Sequence, residues 1–229
     1  MNILNKLQNL FFNNLLGVQK CHTYSMYWDL GATIMSLRIL KEKLSLYHHI
    51  KCLPQTAVAA QVLSVQEHLQ LPGLYQDVQG FLAQHGVSDV RDFSKHKWKA
   101  FLKVKITELN RSYILEEIKS SKKLDYLSLA SEKFEIKPYF LSLNLADSRM
   151  KHRERSKCMK TCRTHFPSDQ GNINEMFRCY ACNQIDGLVH WRTSDCYKHL
   201  REGKRLDKDE ELCDFYRGVI KLRQENLES

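Results

Sequence analysis

The sequence contains little glycine and proline, with 9 and 4 residues respectively among 229. Because strand-rich domains need many tight turns, this scarcity disfavours β architectures and long linkers and favours helices. No uninterrupted apolar run reaches the length needed to span a bilayer. Residues 1–18 also lack the charged leader and clean apolar block of a signal peptide. We therefore expect an intracellular protein with reduced cysteines and no membrane partner.

Motifs of the common enzyme classes are absent as well. The sequence has no nucleophile elbow, H-E-x-x-H motif, phosphate-binding loop or dinucleotide fingerprint, and no paired carboxylates placed to hold two magnesium ions. We expect no catalysis and no small-molecule substrate. Lys and Arg number 35 against 26 Asp and Glu, a net charge of +9. This excess suggests an anionic partner but does not choose among nucleic acid, acidic protein and lipid surface.

Apolar residues recur at helical spacing throughout residues 1–120. They predict an amphipathic N-terminal helix, a long helix over residues 30–53, two short helices, and a longer helix capped by Ser94. Three stripes define helices in this region: Leu7, Leu10, Phe11 and Leu15; Val58, Val62, Val65 and Leu69; and Trp98, Leu102, Ile106, Leu109 and Tyr113. We expect residues 1–120 to form a helical bundle.

A second region is predicted to cover residues 121–229, with the boundary placed in the polar stretch 120–123. It should contain an extended apolar segment around Pro138, a basic helix from about residue 144 to 165, and a zinc module at about 177–200. A final amphipathic helix carries the stripe Leu212, Phe215, Val219 and Leu222. The predicted fold class is therefore mainly α: a helical bundle, a basic helix, and a small module of one His and three Cys ligands with a short hairpin.

The strongest chemical signal is a C-x2-C-x7-H-x5-C pattern formed by Cys179, Cys182, His190 and Cys196. Zinc requires four sulfur or nitrogen donors in a tetrahedron, and a C-x2-C turn supplies two thiolates from one tight loop. The pair Asp186-Gly187 predicts a hairpin that returns His190 to the cysteines. Four protein ligands close the coordination sphere, so the predicted zinc is structural. The alternative is that four reduced side chains share this spacing by chance.

Two aromatic residues, Tyr180 and Trp191, flank the predicted ligands. They are either a stacking surface for unpaired bases or the small core of the module. For Trp191 we favour the core.

A second group with ligand-like spacing consists of Cys158, Cys162 and His165. On a helix the two cysteines share a face near Met159, so we interpret them as buried thiols in an apolar stripe. We give the same interpretation to the remaining cysteines, Cys21, Cys52 and Cys213.

The densest basic segment covers residues 149–163, where seven basic residues are opposed by one acidic residue. A one-sided helical ridge next to a zinc module favours contact with phosphates, although a solvated charged face is the alternative. The residues predicted to bind nucleic acid are Arg149, Arg153, Arg155, Lys157, Lys160 and Arg163.

Several segments in order resemble the region that follows the polymerase domain in reverse transcriptases of non-LTR retrotransposons. The resemblance begins at residues 27–31 (Tyr-Trp-Asp-Leu-Gly) and continues through residues 38–50 and 71–74. It resumes at residues 137–141 (Lys-Pro-Tyr-Phe-Leu) and in the basic segment, and it ends with the zinc motif and residues 197–201 (Tyr-Lys-His-Leu-Arg).

The resemblance implies a transposable-element fragment that binds RNA and DNA, positions template RNA and target DNA, and holds one zinc. It assigns the zinc to the four Cys and His ligands and places Arg149, Arg153 and Arg155 on the family's basic helix. It also implies a nuclear or cytoplasmic location. The family's Tyr-x-Asp-Asp polymerase carboxylates are absent from this chain. A different class remains open, namely a transposon-derived host zinc-binding adaptor that acts through protein–protein contacts.

Overall fold

The computed structural model describes residues 3–18, 21–121, 131–156, 158–159, 178–179, 181–184 and 186–228. This part of the chain is helical and contains no strand, which confirms the mainly α fold class. None of its helices combines the length and apolarity needed to cross a membrane. The helices are α1 (Ile3–Leu16), α2 (Thr23–Leu30), α3 (Met35–Lys51), α4 (Val58–His68), α5 (Leu74–Gln84), α6 (Lys95–Lys119), α7 (Tyr139–Ser142), α8 (Leu145–Arg155), α9 (Leu188–Thr193), α10 (Lys198–Arg201) and α11 (Asp209–Glu228).

The contacts divide the chain into two compact units. Unit 1 consists of Met1–Asn9 and Thr33–Glu116, and unit 2 consists of Leu10–Ala32 and Glu117–Ser229. We predicted one boundary, between residues 120 and 121. The structure places a division nearby, at residues 116 and 117, and it also groups residues 10–32 with the C-terminal part of the chain.

Unit 1 has a core formed by α3, α4, α5 and the first half of α6. Its buried residues are Leu44, Tyr47, Leu63, Val78, Phe81, Leu82, Val90, Trp98, Leu102 and Ile106. The predicted α6 stripe is confirmed at its first three positions, while Tyr113 is 44% exposed. At Asn110 the buried face carries an amide instead of an apolar group, and its Oδ1 accepts the Ile34 N–H at 3.1 Å.

Two predicted apolar stripes lie on exposed helix faces. On α1, Leu7, Leu10 and Phe11 are all more than half exposed, and the buried residues are Phe12 and Leu16. On α4 the stripe is exposed along its whole length, with exposed fractions of 74% for Val58, 52% for Val62, 51% for Val65 and 57% for Leu69. α4 packs against α3 and α5 through the opposite face, where Leu63 is the buried residue.

The long helix predicted over residues 30–53 is α3, which begins five residues later, at Met35, and ends at Lys51, while Leu30 is the last residue of the separate helix α2. α2 ends at Leu30, and Gly31 adopts the left-handed conformation with φ 58°. A Cβ at Gly31 would lie 2.7 Å from the carbonyl carbon of Glu135 and from the nitrogen of Ile136. The chain can therefore turn only because this residue has no side chain, and α3 begins afresh at Met35.

Unit 2 has a core built around α11. Its buried residues are Met159, Cys179, Trp191, Tyr197, Leu212, Phe215, Tyr216 and Val219. The predicted C-terminal stripe is confirmed, since Leu212, Phe215 and Val219 are buried and Leu222 packs against them. The segment around Pro138 is not extended, because Pro138 caps the helical turn α7.

The predicted basic helix is shorter than expected. α8 is capped by the Asn144 side chain, which accepts the Asp147 N–H, and it ends at Arg155. Ser156 Oγ donates to the His152 carbonyl at 2.6 Å, so a side chain satisfies part of the helix end. The described residues that follow Arg155, namely 156 and 158–159, are therefore not part of α8.

Candidate metal centre

A tight turn places the first two predicted ligands side by side. The Cys179 N–H donates to the Gln184 carbonyl at 2.8 Å, and the Asn183 N–H donates back to the Cys179 carbonyl at 2.9 Å. Asn183 adopts a left-handed conformation with φ 60°, which asparagine tolerates better than most residues. The turn that brings the cysteines together is therefore at residues 179–184.

The other two ligands come from short helical elements. His190 lies on α9, and Cys196 lies in the 3-10 turn Asp195–Tyr197 that follows it. The predicted hairpin at Asp186-Gly187 is wrong, because Gly187 is the N-cap of α9. The helix, rather than a second strand, returns the imidazole to the cysteines.

The four ligand atoms converge on one point. The three sulfur atoms and one imidazole nitrogen of the cluster lie within 4.8 Å of one another. Cys182 Sγ and His190 Nε2 are 3.6 Å apart. Ordinary Zn–S and Zn–N bond lengths in a tetrahedron give about 3.6 Å for this separation. Within the described ranges this is the only cluster of three or more such side chains that can hold a metal ion.

The surroundings of the cluster shift the pKa values of two of its thiols. The Gln184 backbone N–H bonds to Cys182 and is the main reason that the pKa of this thiol is lowered. Desolvation, followed by hydrogen bonds with Cys182 and Cys179, raises the pKa of Cys196 to about 11. Three thiolates so close together repel one another, and a divalent cation would remove that repulsion.

One buried carboxylate connects the elements that carry the ligands. Asp186 is 1% exposed and accepts a hydrogen bond from Trp191 Nε1 at 2.6 Å. Tyr197 OH lies 3.0 Å from its Oδ2, and Arg223 Nε of α11 lies 2.8 Å from the same oxygen. Trp191 follows His190 and Tyr197 follows Cys196, so Asp186 fixes the neighbours of two ligands. From the sequence Asp186 was predicted only to be a turn residue, and no spacing signal indicated this role.

Trp191 belongs to the core of the module, as we favoured. The indole is fully buried, and the Arg223 guanidinium lies 5.4 Å from its ring centroid. A buried indole has no free face for a nucleotide base. Tyr180, the second flanking aromatic residue, lies outside the described residues.

The described arginines of the basic helix bond within unit 2. Arg149 Nε donates to the Leu15 carbonyl at 2.8 Å, and Arg153 donates to the Gly17 carbonyl. These carbonyls lie at the C-terminal end of α1, where the helix dipole favours positive charge. Arg155 pairs with Glu132 at 2.8 Å. The other residues of the predicted nucleic-acid site, Lys157, Lys160 and Arg163, lie outside the described residues, as do Cys162 and His165.

A different helix carries a row of exposed basic residues. On α6, Lys95, Lys99 and Lys103 are four residues apart, and all three side chains are exposed. Lys97 is exposed on another side of the helix, and no acidic residue occurs between Asp92 and Glu108. No ion pair within the described part of the chain neutralises these four lysines. The four-residue spacing was visible in the sequence, but the lack of partners was not.

The remaining cysteines differ from the prediction of core thiols. Cys213 is fully buried, which confirms the prediction for this residue. Cys52 is exposed, while Cys21 and Cys158 are half-buried. The core assignment is therefore wrong for these three, because each lies beside polar groups.

Comparison with known proteins found no matching family model and no significant match among curated proteins or solved structures. The resemblance to retrotransposon reverse transcriptases therefore stays a prediction.

Proposed function

We propose that unit 2 contains a structural zinc site and that the chain is a non-catalytic nucleic-acid-binding protein. The observation that supports zinc is the convergence of three thiols and one imidazole within 4.8 Å of one another, with the Cys182–His190 separation at the tetrahedral value. Such a donor set favours zinc over magnesium or calcium, which prefer oxygen ligands. Four protein ligands leave no open position for a substrate, so this metal holds the fold together.

The nucleic-acid part of the proposal rests on the exposed lysines of α6, which form no ion pair with any residue that the structure describes. Three lysines along one face of a helix span about 12 Å at 1.5 Å per residue. Such a row offers several ammonium groups to successive phosphates of one strand. Because the described arginines of α8 already bond within unit 2, we now assign the main phosphate contact to Lys95, Lys99 and Lys103 in place of Arg149, Arg153 and Arg155.

A salt series tests this assignment. Binding of the zinc-loaded chain to single-stranded RNA and to duplex DNA is measured between 50 and 300 mM salt for the wild type and for a triple variant, Lys95→Gln, Lys99→Gln and Lys103→Gln. Loss of three phosphate contacts should weaken binding roughly tenfold or more at 0.1 M salt and reduce the salt slope by up to about 2.7 on duplex DNA.

The matched control removes the same charge elsewhere. A triple variant of Lys6→Gln, Lys208→Gln and Lys221→Gln has the same net charge, but two of its lysines already pair with acids. It should keep most of the affinity and the slope. Equal losses in both triple variants would show that only net charge matters and would contradict the α6 assignment.

We further propose that the chain is the post-polymerase region of a retrotransposon reverse transcriptase and that it acts on element RNA and target DNA in the nucleus or cytoplasm. The support is the sequence resemblance. Three residues that carry this resemblance have structural roles in unit 2: Trp28 and Asp29 are buried, and Gly31 makes the turn after α2.

The second candidate is a zinc-binding adaptor, and the exposed apolar face of α4 favours it. Val58, Val62, Val65 and Leu69 are each more than half exposed on one helix of unit 1. A contiguous apolar stripe of this kind is typical of protein–protein contact. The salt series separates the candidates, since an adaptor of this type would bind neither RNA nor DNA, or would bind them with no salt dependence.

A further inference from the structure

A second cysteine cluster in unit 2 involves none of the four metal ligands. Cys21 Sγ lies 3.8 Å from His152 Nε2 and 3.2 Å from Ser25 Oγ. The Cys158 thiol hydrogen-bonds with Cys21, and Ser156 Oγ lies 2.9 Å from Cys158 Sγ. Both cysteines are half-buried residues.

The His152 ring is held between the Cys21 thiol and a buried carboxylate. Its Nδ1 lies 2.9 Å from Asp29 Oδ2, and both residues are at most 2% exposed. Tyr139 OH donates to the same oxygen at 2.7 Å, and Arg155 lies 3.3 Å from Oδ1. Asp29, His152 and Cys21 therefore form an ordered chain of carboxylate, imidazole and thiol. In such chains the carboxylate orients the ring and stabilises its protonated form.

The electrostatics of the cluster favour a thiolate next to an imidazolium. The hydrogen bond with Cys158 has the largest effect on Cys21, and together with His152 it lowers the pKa of Cys21 well below its usual range despite burial. Burial alone would lower the pKa of His152, but the bonds to Asp29 and Cys21 outweigh it and raise the pKa to about 9.

Other charged groups also face the cluster. Arg155 lies beside Asp29 and pairs with Glu132, and Arg153 lies beside Cys158. The two guanidinium groups add positive charge, while the hydrogen bond with Cys21 and burial raise the pKa of Cys158, so Cys21 is the thiol favoured as thiolate. The thiolate is the form of cysteine that attacks peroxides and soft electrophiles.

We propose that Cys21 is a modification site for hydroperoxides, with Cys158 as the thiol that resolves the oxidised form. The Cys21 thiolate attacks the terminal oxygen of the hydroperoxide, the O–O bond breaks, and alkoxide (hydroxide where the oxidant is hydrogen peroxide) leaves as Cys21 becomes a sulfenic acid. Cys158 then attacks the Cys21 sulfur, the S–O bond breaks, and water leaves as the disulfide forms. The peroxide accepts the two electrons that the thiols lose. His152 is a positioning residue that holds the thiolate.

The first test measures how fast iodoacetamide labels Cys21 in the zinc-loaded full chain from pH 6 to pH 8, by mass spectrometry of its peptide. We expect less than about a twofold change in rate, because the thiolate is already present. A thiol with the usual pKa near 8.5 is labelled roughly 75-fold faster at the higher pH. Cys158→Ala removes the hydrogen bond and should restore part of this pH dependence, whereas Cys158→Ser keeps a donor and should not.

A Cys21 labelling rate that follows pH as the rate of glutathione does would overturn the proposal. So would a second bound zinc ion that protects Cys21, since that would make the cluster a metal site instead.

The second test treats the zinc-loaded chain with one equivalent of hydrogen peroxide. We expect a Cys21–Cys158 disulfide in the wild type. In Cys158→Ser we expect a sulfenic acid at Cys21 that dimedone traps. Cys213 is fully buried and serves as the unreactive reference. Absence of both products at Cys21 would refute the proposed chemistry.

Discussion

At the scale of single residues, Asp186 carries more of the metal module than its place in the sequence suggests. Its carboxylate is buried and bonds to Trp191, Tyr197 and Arg223, which belong to three different elements. The sequence pattern identified the four ligands because their spacing is set by metal chemistry. It could not identify Asp186, because an Asp-Gly pair is equally typical of an exposed turn.

We predict that Asp186→Asn weakens zinc binding 10- to 100-fold, because the substitution removes the charge opposite the Arg223 guanidinium and replaces one accepting oxygen by a donor. The buried polar groups that lose their partner should also destabilise unit 2 by about 1–3 kcal/mol. Competition with a chelator measures the first effect and urea unfolding the second.

The control for this prediction is Asp195→Asn, which changes an exposed acid next to the ligand Cys196. It should leave zinc affinity within about twofold of the wild type. If Asp186→Asn behaves like this control, the carboxylate does not support the metal site.

At the scale of helices, the apolar periodicity predicted most helices and their approximate positions but not always which face is buried. On α4 the valine stripe is exposed and the neighbouring Leu63 is buried. A short helix with apolar residues on two sides gives no sequence signal that separates these faces. The end of α8 was also mispredicted, since the run of basic residues continues past Arg155 while the helix ends there.

The break between α2 and α3 gives a prediction about Gly31. Gly31→Ala places a methyl group 2.7 Å from the backbone of Glu135 at φ 58°, so we expect a loss of at least about 1–3 kcal/mol. Gly80→Ala is the matched control, because Gly80 lies inside α5 and an added Cβ would contact nothing within 4 Å. It should stabilise the protein by about 0.5–1 kcal/mol.

Thermal unfolding followed by circular dichroism measures both glycine variants. We expect a lower melting temperature for Gly31→Ala and a slightly higher one for Gly80→Ala. Equal melting temperatures in the two variants would mean that the turn after α2 tolerates a side chain.

At the scale of the whole molecule, the sequence predicted a helical protein with a C-terminal metal module. The described residues are mainly helical, and the four predicted ligands form a cluster that could hold a metal ion. It did not predict that residues 10–32 group with the C-terminal part of the chain. That grouping depends on long-range bonds inside unit 2, such as Asp29 with His152 and Arg149 with the Leu15 carbonyl. Local periodicity contains no information about partners more than a hundred residues apart.

The same bonds change the interpretation of the positive charge. The net charge of +9 pointed first to the arginines of α8. All three of these arginines are occupied inside unit 2, while Lys95, Lys99 and Lys103 of α6 are exposed and pair with no acidic residue in the described ranges. Charge density along the sequence is therefore a poor guide to a binding surface until the intramolecular partners are known.

The most direct test of the account measures the metal content of the purified chain together with hydrogen exchange, for the wild type and for Cys182→Ser. We predict one zinc per wild-type chain and none bound at this site in the variant. Amide protection should be lost in α9, α10 and α11 and retained in α3, α4 and α5, because the metal holds only the module of unit 2. A wild-type chain without zinc, or a variant with unchanged zinc content and protection, would contradict the account.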